Sequence, residues 1–170
     1  MNRSCSQRTV QRLAALALFA SATCAQAQLT APYIGGALGD TDFGTGLRFF
    51  GGSRITNIIG WEAQLTSYGT RTIRPGNNVS CSNSAWSLGA GATATMPLTS
   101  QFAAYGKLGG HYLKTRVSGP CSDTGEGSLE LGLGAGVLWR FSPKAALRLE
   151  FENIGGSNGD FISIGVQFPL

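Results

Sequence analysis

Phe161-Ile162-Ser163-Ile164-Gly165-Val166-Gln167-Phe168-Pro169-Leu170 is the stretch whose reading decides the fold. Ile162, Ile164, Val166, Phe168 and Leu170 share one parity, and Ser163, Gly165 and Gln167 share the other. A period of two describes a strand with one apolar face and one polar or small face. One such strand suits a half-buried soluble sheet as well as a transmembrane barrel. The strands before it separate the two.

Seven earlier segments repeat the pattern. The strands are expected at about Tyr33–Gly39, Thr45–Gly52, Ile58–Ser67, Ala85–Met96, Phe102–Leu113, Leu129–Arg140 and Lys144–Glu152, with Phe161–Leu170 as the eighth. In the sixth, Leu129, Leu131, Leu133, Ala135, Val137, Trp139 and Phe141 oppose Glu130, Gly132, Gly134, Gly136 and Arg140, with Leu138 the exception. In the seventh, Ala145, Leu147, Leu149 and Phe151 oppose Arg148, Glu150 and Glu152. A helix would spread those charges around its whole surface, so the helical reading fails. Brief turns follow strands two, four and six. Long polar loops, 69–84 and 114–128, follow strands three and five. Short turns at one end and longer loops at the other are the pattern of an outer-membrane barrel.

The chemistry of the two faces agrees. A soluble barrel hides its apolar face inside, yet here the inner face carries charge beside many glycines. The expected fold is therefore all-β: an eight-stranded antiparallel up-and-down transmembrane β-barrel with lipid outside and a polar lumen. Its lumen charges are expected to be Arg48, Lys107, Arg140 and Arg148 against Glu62, Glu130, Glu150 and Glu152. A barrel of this size is filled by side chains, so the charges must pair. Trp61, Phe102, Trp139, Phe141 and Phe168 are expected to girdle the periplasmic end, and Trp86, Tyr112 and Phe151 the outer end.

The N-terminus supplies the route of export. Arg3, Arg8 and Arg12 precede the apolar run Leu13–Ala22, and Ala25-Gln26-Ala27 forms a small-x-small cleavage site. Residues 1–27 are read as a cleavable signal peptide and residues 28–170 as the barrel domain. Cleavage removes three of the 13 basic residues and none of the 9 acidic ones. The formal charge of +4 falls accordingly, and no basic run remains to suggest nucleic-acid binding. All 25 glycines lie beyond residue 27, placed within alternating segments rather than as a linker or collagen repeat.

Catalytic, cofactor and metal patterns are not found. The lone histidine, His111, has Gly109 and Leu113 rather than a serine beside it on its strand face. Cys81 and Cys121 remain after processing, one in each long loop, in an oxidising compartment. They are expected to form a disulfide.

Tyr33-Ile34-Gly35-Gly36, Tyr105-Gly106-Lys107-Leu108-Gly109, Leu147-Arg148-Leu149-Glu150-Phe151 and Ile164-Gly165-Val166-Gln167-Phe168 resemble the OmpA-like family of eight-stranded outer-membrane barrels. The resemblance covers residues 28–170. It implies location in the outer membrane of a Gram-negative bacterium and contact with its lipids and lipopolysaccharide. It also implies insertion by the outer-membrane assembly machinery, acting on the last strand. The function expected is non-enzymatic and structural. The alternatives are surface binding through the loops 69–84 and 114–128, in the manner of an adhesin, or a narrow gated pore.

Overall fold

A computed structural model describes residues 31–76, 79–120, 124–155 and 160–170. The expected signal peptide, residues 1–27, lies outside the described residues, as does Cys121. The chain forms β1 (Ala31–Thr41), β2 (Gly44–Arg54), β3 (Ile59–Gly76), β4 (Val79–Pro97), β5 (Phe102–Ser118), β6 (Thr124–Ser142), β7 (Ala145–Ile154) and β8 (Phe161–Pro169). Each strand pairs antiparallel with its neighbour, and β1 pairs with β8 to close the barrel. Closure leaves no free edge strand in the barrel wall.

The period-two pattern sorts the side chains as the alternation requires. Leu131 and Leu133 are 75% and 65% exposed, while Arg48 is 1% exposed. In β8, Ile162, Ile164 and Phe168 face out, and Phe161 and Ser163 are buried. β1, ambiguous by sequence, turns Ile34 and Leu38 outward and Ala37 inward. A water-soluble barrel would show the reverse arrangement. A continuous apolar belt around a charged interior is stable only against hydrocarbon.

One expectation needs correction. The polar stretches 69–84 and 114–128 are not long loops. Most of their residues extend β3–β4 and β5–β6 as hairpins, and Ile73 pairs with Cys81 and Val117 with Thr124. The apolar alternation ends before the strands do, because a ladder above the bilayer needs no greasy face. The β3–β4 hairpin bends where β3 carries one extra residue between Ser67 and Thr70. Gly69 sits there at φ +88°, a backbone conformation that costs glycine little. Leu138 stands on the inner parity, as its position in the alternation requires. There it packs with Ala103 and Tyr105.

Candidate functional site

The lumen is built in layers. Toward the short-turn end lie Ala103, Tyr105 and Leu138. A band of charge follows: Arg48 from β2, Glu62 and Gln64 from β3, Lys107 and His111 from β5, and Arg148, Glu150 and Glu152 from β7. Above it, toward the hairpin end, Tyr68, Ala85, Leu113, Ile154 and Phe161 form an apolar cap against which Phe43 packs.

The charged lumen side chains come from β2, β3, β5 and β7, and glycines on β4 and β6 make room for them. A Cβ on Gly134 would lie 2.8 Å from Lys107 Cε, and one on Gly136 would lie 2.6 Å from Tyr105 Cε1. The His111 ring is held between Gly89 and Gly132, and a Cβ on Gly132 would lie 2.5 Å from its Nε2. This explains why glycine is so frequent on the inner parity of β4 and β6.

Three cations meet three carboxylates in the band. Arg148 binds Glu62 through both terminal nitrogens, at 2.5 and 2.9 Å, and also pairs with Glu150. Arg48 reaches Glu150 and Glu152, and its Nε donates to Thr66 Oγ1 at 3.0 Å. Lys107 pairs with Glu150, lies 2.9 Å from Glu152, and donates to Gln64 Oε1 at 2.6 Å. Gln64 Nε2 returns a bond to Glu152 Oε2 at 2.9 Å. Tyr33 donates to Glu62 at 3.0 Å, and Tyr105 donates to Glu150 while accepting from Arg148 Nε at 2.6 Å. Aromatic rings cover the guanidinium faces. Arg48 lies 4.3 Å from the Phe161 centroid, and Arg148 lies 4.2 Å from Phe50 and 4.5 Å from Tyr105. The planar edges meet carboxylates and the planar faces meet rings, which is the double use that suits Arg rather than Lys.

The structure brings together six of the eight expected lumen charges: Arg48, Glu62, Lys107, Arg148, Glu150 and Glu152. It does not bring Glu130 or Arg140 to them. Glu130 shares the inner parity but stands above the band, half-buried against Gly155. Arg140 is exposed at the other end. Parity assigns a face but not a height: Arg140 lies near the end of β6, and Glu130 stands one inward position above Gly132, level with the apolar cap. Sequence reasoning left Gln64, Tyr33, Tyr105 and Thr66 out of the network, although Gln64, Thr66 and Tyr105 fall on the inner parity. Gln64 follows Glu62 by two on one strand, a signal that was available. Tyr105 shares the parity of Lys107, whereas Tyr33 lies on a strand whose two faces the alternation does not separate.

The expected girdle residues lie on the outer surface. Trp61, Trp86, Phe102, Tyr112, Trp139, Phe141, Phe151 and Phe168 all rank among the exposed large side chains. Phe102 stacks on Trp139 at 6.2 Å and 9°, Trp139 meets Phe141 at 6.0 Å, and Trp86 meets Tyr112 at 6.1 Å.

The site offers little chemistry. His111 is 4% exposed, and its Nε2 lies 3.5 Å from Glu152 Oε1. Its Nδ1 is without a hydrogen-bond partner among the described residues and lies at a cavity of about 10 Å³. The nearby buried Ser87 is bonded to Tyr68 at 2.9 Å. His111 lies at the level of the charged band, beneath the apolar cap. Among the described residues, no group of three His, Cys, Asp or Glu could hold a metal ion. Cys81 is buried.

The family model for the outer membrane protein beta-barrel domain matches residues 12–168. No curated protein matches the chain. Among solved structures, the N-terminal barrel domain of Pseudomonas aeruginosa OprF aligns with a TM-score of 0.62 at 12% identity, covering 82% of this chain and 97% of that one. Neisserial surface protein A aligns with a TM-score of 0.59 at 18% identity, covering 81% and 95%. Ail, the attachment invasion locus protein of Yersinia pestis, in complex with the heparin analogue sucrose octasulfate, aligns at 0.57 with 16% identity, covering 82% and 97%. At these identities the likeness is one of fold.

Proposed function

The chain belongs to the outer membrane protein beta-barrel domain family, and from that premise we propose that it is a non-enzymatic structural barrel whose lumen is permanently plugged. It resides in the outer membrane. The observation that carries the proposal is the layering of the lumen. Tyr68, Ile154 and Phe161 are fully buried in a cap that closes the outer end. Beneath it the three cations and three carboxylates satisfy one another. A gated pore would have to break several of these contacts at once and part the cap as well. Single barrels in a planar bilayer are therefore expected to carry no sustained current. A stable open level in the wild-type protein would overturn this reading in favour of the pore.

A second reading, surface binding, is favoured by the extended hairpins. Lys114 and Arg116 are exposed, on the parity opposite to the inward Leu113, Thr115 and Val117. Lys114 pairs across the ladder with Trp86, a residue of the outer girdle. That places cations just above the bilayer, where lipopolysaccharide phosphates would lie and charge-assisted bonds would form. A polysulfated ligand such as the one bound to Ail would meet these outward residues first. At insertion, the assembly machinery is expected to engage β8.

The hairpins are proposed to be tied together by Cys81 and Cys121. Ser82 of the first hairpin pairs with Ser118 of the second, so the two are adjacent at the level of Cys81. The exported protein, alkylated without reductant, is expected to gain no mass in a mass spectrometer. The addition of two alkyl groups would show that the thiols are free.

A further inference from the structure

The hairpins and the β1–β2 turn enclose a cavity of about 800 Å³ above the apolar cap. This lies within the range of small-molecule sites, roughly 300–1,000 Å³. Its walls carry Asp42, Glu126 and Glu130, the apolar Phe43, Leu113 and Val117, and one cation, Arg71. We infer that this cup binds a linear organic polyamine, with its ammonium groups on the carboxylates and its methylenes against the apolar wall.

Four observations carry the inference. The lining is rich in acceptors and poor in donors. The one guanidinium is already engaged, since Arg71 Nη1 donates to the Asp42 carbonyl at 3.4 Å. Asn83 Oδ1 is buried in the same wall and has no hydrogen-bond partner among the described residues. Such an acceptor is costly unless a donor reaches it. The carboxylates are also spread out. Glu126 and Glu130 lie four residues apart on β6, about 13 Å at strand rise. Among the described residues no three such groups converge to hold a metal. Spaced carboxylates suit spaced ammonium groups better than a compact ion. Finally, the cup is preorganised. Its floor is the buried Leu113, its walls are paired strands, and Glu130 is held against Gly155, which stands at φ +68°. An anion would face three carboxylates here. The outward Lys114 and Arg116 therefore serve a different surface.

The test is calorimetric titration of spermidine into the folded barrel in lipopolysaccharide-free nanodiscs. Spermidine is expected to bind at least about tenfold more tightly than Mg2+ at the same ionic strength. Glu126→Gln combined with Glu130→Gln is expected to weaken binding by about tenfold or more, since two charge-assisted contacts are lost. Ser128→Trp keeps every charge and sets a bulky ring between Glu126 and Glu130, so it is expected to weaken binding by about tenfold or more. Retention of the folded band on unboiled gels shows that the variants are intact barrels. If Ser128→Trp binds spermidine as the wild type does, the attraction is diffuse rim charge and the inference fails. It also fails if spermidine binds no better than Mg2+.

Discussion

Replacing Arg148 with Met is expected to destabilise the barrel by about 3–5 kcal/mol, the cost of removing one partner from a buried ion pair. The substitution removes the two-point partner of Glu62, leaving it Tyr33 and a Lys107 at 3.7 Å, takes one of three cations from Glu150, and strips the ring contacts from Phe50 and Tyr105. Equilibrium unfolding in lipid measures the loss. Adding Glu62→Leu to the same chain restores charge balance, leaving Arg48 and Lys107 against Glu150 and Glu152. The double variant is then expected to recover part of the loss, a coupling that a double-mutant cycle isolates. If Arg148→Met unfolds like the wild type, the band is hydrated and the lumen is not the sealed plug described above.

The second large effect lies on the opposite face. Leu133→Arg places a charge on the apolar belt and is expected to cost about 2–4 kcal/mol near the bilayer midplane. Leu133 is 65% exposed and pairs with Leu108, itself outward and apolar. Its neighbour Gly132 should fail for a different reason. Gly132→Ala drives a Cβ into the His111 ring, which cannot retreat because Gly89 holds its other side. Overpacking of that kind costs about 1–3 kcal/mol. The two failures differ in their remedy. Shortening the ring through His111→Ala is expected to relieve Gly132→Ala and do nothing for Leu133→Arg. A neutral Leu133→Arg would mean that β6 does not present this face to lipid.

The alternation carried most of the fold. In β4, β6 and β8 a charged, polar or small residue at every second position is enough to assign both faces. Closure then follows from the need of a membrane sheet to leave no edge. The lengths of the hairpins were not legible. Thr70, Thr72, Ser82 and Thr115 stand above the bilayer, where both faces of a strand can be polar and the period-two signal disappears. The cap was also hidden. Phe161 and Leu138 sit on the polar parity, and only the assembled lumen shows that its ends are closed by apolar groups while its middle is charged.

The charge band was legible as a list but not as a network. Parity placed Glu62, Lys107, Arg148 and Glu150 on the inner face. It gave Glu130 and Arg140 the same standing, because height along the axis depends on the stagger between strands. That stagger is fixed by register: Gly132 pairs with Ile154 on one side and with Gly109 on the other. Such pairings depend on partners distant in sequence and cannot be read from one strand alone.

The central claim is that the apolar parity faces lipid, and the three native tryptophans report on it without mutation. Trp61, Trp86 and Trp139 are 43%, 41% and 42% exposed on the outer surface. With the protein folded into bilayers whose acyl chains carry bromine at defined depths, their fluorescence is expected to be strongly quenched. Bromines near the interface should quench more than bromines at the midplane, as girdle positions require. Tryptophan emission indifferent to brominated chains at every depth would place these rings inside the barrel and contradict the inside-out arrangement.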